Sequence, residues 1–211
     1  MTRIVAISDT HGFHRFAPPI PDGDILIHAG DLTRGGNLSE LPDLNAWFGE
    51  LKPRFKRILA TAGNHDWAFE ENLKLATMLL TNVEVFVDDY VIIDGLLYYF
   101  SPYQPEFCDW AYNLPRGEPL REKWSLIPDN VDVLVTHGPP HGILDVAPFG
   151  GNVGCEELRQ VIGTRINPKL HVFGHIHDGY GMTKIGNTTF VNAAICTERY
   201  QPINAPIVID I

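Results

Sequence analysis

Short apolar runs rich in β-branched residues recur along the chain, separated by stretches whose apolar positions return every three or four residues. The first pattern suits buried strands and the second amphipathic helices; their alternation predicts an α/β architecture. Strands are expected near 3–8, 24–29, 57–62, 83–87, 90–93, 96–100, 131–136, 170–173, 182–185, 188–192 and 206–210. Helices are expected at 39–50 with Ser39 as N-cap, at 68–80, at 117–125 and at 153–163. Asp94-Gly95 and Gly186-Asn187 sit between apolar runs as two-residue hairpin turns, so the sheets are expected to be mixed. Leu41, Leu44, Trp47 and Phe48 share one helical face and read as core. No repeat or long linker breaks the pattern, and 211 residues suit one domain over 1–211.

Polar residues follow five of these strands closely. Ile4 to Ile7 runs into Asp9 and His11, Ile25 to His28 into Asp31, and Ile58 to Ala60 into Asn64; Val131 to Val135 runs into His137, and Leu170 to Phe173 into His175. Open α/β sheets bind ligands beyond the carboxyl ends of their strands, so these residues are expected to converge. In Asp9-x-His11 and His175-x-His177, alternate residues of an extended segment would point the same way and share a cation. A carboxylate between two cations can use both oxygens, which suits Asp31. Mixed carboxylate, amide and imidazole donors suit borderline divalent ions such as Mn²⁺, Fe²⁺ or Zn²⁺ more than Ca²⁺, and the absence of thiolate argues against a structural zinc site. Two such cations roughly 3.5–4 Å apart would present a bridging hydroxide in line with phosphorus. His65, spare in the ligand count, is placed to protonate the departing alkoxide as the catalytic acid.

Charge and composition narrow the classes. The net charge of −10 argues against a protein that grips duplex nucleic acid, which needs a basic face. A small phosphate ester remains compatible, because bound cations bring their own positive charge. Cys108, Cys155 and Cys196 form no CxxC pair and are too few for a disulfide framework. The chain enters a strand pattern at once without a charged leader, and no apolar run approaches the roughly 20 residues of a bilayer span. The expectation is a cytoplasmic protein with no membrane partner; its oligomeric state is left open.

The ordered blocks Asp9-x-His11, Gly30-Asp31, Gly63-Asn64-His65-Asp66, Thr136-His137-Gly138 and Gly174-His175-Ile176-His177 resemble the calcineurin-like metallophosphoesterase superfamily. His137-Gly138-Pro139-Pro140, the stretch His171 to Gly181, and Ser101-Pro102 leading into Asp109-Trp110-Ala111 are similar to its small metallophosphoesterase-domain (MPPED, 239AB-like) branch. The resemblance implies a four-layer α-β-β-α sandwich with two mixed sheets. It implies one metal on Asp9, His11 and His177, a second on Asn64, His137 and His175, and Asp31 bridging them. It also implies hydrolysis of small phosphodiesters such as cyclic nucleotides, with diesters preferred over monoesters. One position departs: many members carry a carboxylate three residues after the bridging aspartate to orient the spare histidine, and here Arg34 stands there.

Other readings apply to the remaining candidates. A non-catalytic scaffold binding protein partners would tend to lose ligand residues, and this chain keeps the set; a metal-dependent nuclease would need a basic groove. His28 and His171 lie inside apolar runs and are expected in the core, His14 on a surface loop, and His141 without a role. The segment 101–117 carries Tyr103, Phe107, Trp110, Tyr112 and Arg116. It is either a pocket wall that stacks a nucleobase, with Tyr103 and Arg116 touching substrate, or a plug for the end of the sandwich, the expectation for Trp110. Arg34 faces either substrate phosphate or solvent.

Overall fold

The computed structural model describes residues 1–148 and 150–211. In chain order the strands are β1 (Arg3–Ile7), β2 (Ile25–His28), β3 (Arg57–Ala60), β4 (Glu84–Val85), β5 (Asp89–Ile93), β6 (Leu96–Ser101), β7 (Gln104–Pro105), β8 (Asn113–Leu114), β9 (Val133–Thr136), β10 (Leu170–Phe173), β11 (Gly181–Ile185), β12 (Thr188–Asn192) and β13 (Ile207–Asp210). The α-helices are α1 (Leu41–Leu51), α2 (Trp67–Leu79), α3 (Glu118–Ser125) and α4 (Glu156–Thr164). One sheet has the order β13-β1-β2-β3-β4, the other β11-β12-β10-β9-β6-β5, and β7 and β8 form a separate two-stranded ladder. Within each large sheet the central strands are parallel, and antiparallel strands occur at edges: β13 on β1, β5 on β6 and β11 on β12.

Period-two alternation decides the layering, because successive side chains of a strand face opposite ways. Ile4, Ala6, Ile25 and Ile27 meet Tyr98, Phe100, Val133 and Val172 between the two sheets. Val5, Ile7 and Leu26 face the other way, onto Leu44, Trp47 and Phe48 of α1 and Phe69 of α2. On the far side, Leu97, Tyr99 and Leu134 pack on Leu120 and Trp124 of α3 and Leu158 of α4. The result is the expected four-layer α-β-β-α sandwich. Among the described residues no helix is long and apolar enough to cross a membrane.

Both expected hairpins are present, pairing Ile93 with Leu96 and Ile185 with Thr188. In the first, Asp94 and Gly95 both take positive φ (51° and 82°), the backbone a two-residue turn of matching twist requires. The start of α1 differs from expectation. Asn37, not Ser39, caps a single 3-10 turn over Leu38–Glu40, with Glu40 returning a bond to the Asn37 backbone, and α1 follows with Pro42 in its first turn. The fourth helix begins at Glu156, where the Cys155 sulfur accepts the Leu158 N–H at 3.3 Å. The β7–β8 ladder was not expected; two-residue strands leave no periodicity to read.

Candidate metal centre

The parallel strands of both sheets end on the same side, and main-chain bonds tie their loops together. Asp9 N–H donates to Gly30 C=O, His11 N–H to Asp31 C=O and Gly12 N–H to Leu32 C=O, joining the loops after β1 and β2. Ile195 N–H donates to Ser8 C=O and Gly174 N–H to His137 C=O. The first bond spans the two sheets and the second joins neighbouring loops within one. Asp66 fixes the third loop: its buried carboxylate accepts from the N–H groups of Leu32 (3.1 Å), Thr33 (2.9 Å) and Gly63 (2.8 Å) and from the Thr33 hydroxyl (2.6 Å). Burial, and then the nearby Asp31 charge, push the Asp66 carboxyl up to about 6.

Two clusters of donor atoms result. Asp9, His11 and His177 form one, and Asp31, His137 and His175 another; within each the donor atoms lie within 4.8 Å of one another. Asp31 serves both sides: Oδ2 lies 3.6 Å from His11 Nε2 and Oδ1 lies 3.4 Å from His137 Nε2. The Asn64 amide oxygen stands 2.8 Å from both His137 Nε2 and His175 Nδ1. His65 forms a further group with His11 and Asp31.

These residues do not sit on extended segments. Asp9 (φ 53°), His11 (45°), Asp31 (55°) and His175 (65°) are all left-handed, and His177 begins a 3-10 turn. Sharp turns after the strands, not alternation along them, aim the side chains inward, so the alternate-residue geometry expected for Asp9-x-His11 and His175-x-His177 is corrected. Four non-glycine residues in this conformation at one site mark a backbone held in place by its surroundings. Close approach adds to this: a side-chain carbon at Gly174 would land on the Asp9 carboxylate, and one at Gly63 on Asp31.

The ring nitrogens are assigned by their outer partners. His137 Nδ1–H donates to Ala29 C=O at 3.0 Å and His177 Nδ1–H to Thr197 C=O at 3.0 Å, leaving each Nε2 for the centre. In its neutral ring the His137 Nε2 lone pair faces the Asn64 oxygen at 2.8 Å, and His177 Nε2 lies 3.2 Å from His11 Nε2. Lone pairs converging on lone pairs are relieved by a cation between them, so the donor set fits divalent metal. Without metal, protons take that role. Burial would lower His137, but the Asp31 carboxylate reverses this and holds it up to about 9; Asp9 does the same for His177. Burial pushes His11 down to about 4 and His175 to about 3.

Beneath each sheet's donor residues lies a buried histidine outside the two clusters. His28 Nε2 bonds the Thr10 hydroxyl at 2.9 Å, and His171 Nε2 bonds the Thr136 hydroxyl at 2.8 Å. Both are core residues as expected, and burial lowers both to about 3. His14 is buried too, against Trp47 with Nε2 bonded to Asp43 at 3.0 Å, which corrects the surface-loop expectation. Cys196 is buried near Asp9, its thiol pushed up to about 12, so it stays protonated.

The centre opens into a cavity of about 470 Å³ lined by His11, Asp31, Asn64, His65, His175 and His177 on its floor. Trp110 lines it as well, its ring 4.2 Å from that of His65 and tilted by 31°. It is part of the cavity wall rather than a plug. Tyr103 does not line the cavity; it packs beside Tyr112 under the Lys123 ammonium, 3.8 Å from its ring. Arg116 does, with its guanidinium donating to the carbonyls of Gly154 (2.9 Å) and Val153 (2.7 Å). Arg34 is exposed and outside the cavity lining, its guanidinium over Phe13, but its main-chain carbonyl accepts His65 Nδ1–H at 2.9 Å. The backbone of that position thus sets the tautomer of His65. Tyr200 and Glu198 complete the wall and were not foreseen. Their one cue is placement after β12, another parallel strand ending at this side.

Residues 2–179 match the calcineurin-like phosphoesterase family. The chain is 46% identical to human metallophosphoesterase domain-containing protein 1, over all of this chain and 71% of that one. Its fold is similar to that of the Thermus thermophilus protein TT1561 (TM-score 0.60, 16% identity, 90% and 88% of the two chains). It is also similar to a solved archaeal phosphodiesterase (TM-score 0.50, 14% identity, 99% and 93%).

Proposed function

The chain belongs to the calcineurin-like phosphoesterase family of metal-dependent phosphoester hydrolases, and from that premise we propose that it hydrolyses small phosphodiesters, cyclic nucleotides among them, at a pair of divalent cations. The observation that carries this reading is the shared carboxylate, with Asp31 turning one oxygen toward each cluster. Asp9, His11 and His177 would hold one cation, Asn64, His137 and His175 the other, with Asp31 common to both. The mixed carboxylate, amide and imidazole donors suit a borderline ion, for which we take Mn²⁺ first and Fe²⁺/Fe³⁺ or Zn²⁺ as alternatives. Bound there, such a pair supplies charge neutralisation at phosphorus and a water of lowered pKa.

The chain's own contribution is positional. With Nδ1–H donated to the Arg34 carbonyl, His65 presents Nε2 to the cavity, where in its protonated form it gives a proton to the departing oxygen. The cavity beside it has room for the second arm of a diester, which supports diesters over monoesters. The test compares bis-p-nitrophenyl phosphate with p-nitrophenyl phosphate, using metal-stripped protein with and without Mn²⁺. Metal-restored turnover that favours the diester is expected. Bound metal with no turnover of either ester would favour a scaffold that binds protein partners.

A further inference from the structure

Two aromatic rings beside His65 have no part in holding metal. Trp110 lies against the face of His65, and the Ala111 N–H next to it donates to the Asn64 carbonyl at 3.2 Å, so this wall is tied to the floor. Tyr200 stands edge-on to His11, with centroids 4.8 Å apart, and within 6.3 Å of His65. Its backbone is left-handed (φ 54°), an uncommon conformation for a bulky residue, in a turn closed by Tyr200 N–H to Thr197 C=O. That same turn supplies the carbonyl that orients His177. A half-exposed ring held in strain over the metal-ligand histidines is what a shaped binding surface requires.

The charges around these rings point to the kind of group they take. Glu106 and Glu198 line the cavity, and Arg116, the one arginine or lysine among its described lining residues, already donates to two carbonyls. The rest of the wall is largely apolar, with Phe107, Pro139, Pro148, Val153 and Ile176. A substrate's second phosphate or carboxylate would meet two glutamates there, whereas a flat neutral group would meet two ring surfaces.

We propose that Trp110 and Tyr200 form a substituent subsite that selects phosphodiesters with a flat, uncharged arm over those whose arm carries further negative charge. The subsite rests on the metal-site reading above, and both rings act as specificity-determining residues. The test is titration calorimetry on Mn²⁺-reconstituted protein, with metal content measured on each sample, using phenylphosphonate, methylphosphonate and 4-phosphonobenzoate. Phenylphosphonate should bind on the order of tenfold tighter than methylphosphonate. The added carboxylate of 4-phosphonobenzoate should remove most of that gain. The phenyl-to-methyl ratio should fall toward one in Trp110→Ala and drop in Tyr200→Ala, and Tyr200→Phe should restore it, since the ring and not the hydroxyl is invoked. Tyr200 is exposed at the mouth, so its variants keep the test open if Trp110→Ala misfolds. Equal binding of phenyl and methyl probes to metal-loaded protein would overturn the subsite alone. Protein that takes up no metal and binds no phosphonate would overturn the metal-site reading, and the subsite with it.

Discussion

The floor of the cavity and its wall are built in different ways. The floor is buried, polar and densely bonded: Asp9, His11, Asp31 and His137 are at most 2% exposed, and their loops are joined by main-chain bonds across neighbouring strands and between the sheets. The wall is half-exposed and comes from four separate loops, with Phe107 62% and Tyr200 44% exposed. A metal site needs donor atoms placed to within a fraction of an ångström, which only strand ends braced by a second layer provide. A surface that sorts substituents tolerates looser placement and can be carried by loops on that scaffold. On the proposed reading, chemistry belongs to the floor and selectivity to the wall.

Changes to the floor should be severe. Asp31→Ala removes a carboxylate common to both clusters, and diester turnover is expected to fall by roughly 10³-fold or more. Retention of a tenth of the activity would break the distinction. His65→Ala should lower turnover by about 10²–10⁴-fold while metal content stays at the wild-type level. If metal is lost as well, His65 belongs with the ligands and not beside them.

Support beneath the floor should appear in stability. Asp66→Asn keeps one acceptor oxygen but turns amide hydrogens toward the other two of the four donors, and should cost about 2–3 kcal/mol, seen as a fall of roughly 5–10 °C in the melting midpoint. A midpoint within a degree of wild type would mean that those loops are held elsewhere.

The smallest effect is on pH dependence. His28 and His171 stay neutral when folded, with pKa values lowered to about 3, whereas the unfolded chain takes up protons near 6.5. Their contribution is therefore complete above about pH 6.5 and is lost as pH falls from there toward 3. His171→Leu, which leaves the Thr136 hydroxyl its bond to the Gly138 carbonyl, should flatten the loss of midpoint between pH 7 and 5 by a few degrees. Equal slopes for both proteins would show that His171 is not a neutral core residue.

The same contrast explains what could be read from the chain. Each floor residue follows an apolar run within a few positions, so strand and donor appear in one short window. Trp110 and Tyr200 lie 90 positions apart and meet at His65 only after both sheets have formed. Trp110 sits in an aromatic-rich stretch that core and wall would use alike, and Tyr200 follows the polar Glu198-Arg199. Motif spacing also left the backbone undetermined: Asp-x-His fits an extended segment as well as the left-handed turn actually present, because side-chain order does not encode φ. Arg34 shows a related limit, since a backbone carbonyl does what a carboxylate was expected to do.

The most direct test of the shared-carboxylate account is metal stoichiometry in wild type, His177→Ala and Asp31→Ala after reconstitution with Mn²⁺ and removal of free ion. Wild type should hold two ions per chain, His177→Ala one, and Asp31→Ala fewer than one. One tightly held ion in Asp31→Ala, equal to His177→Ala, would show that the two clusters bind metal independently and would contradict the account.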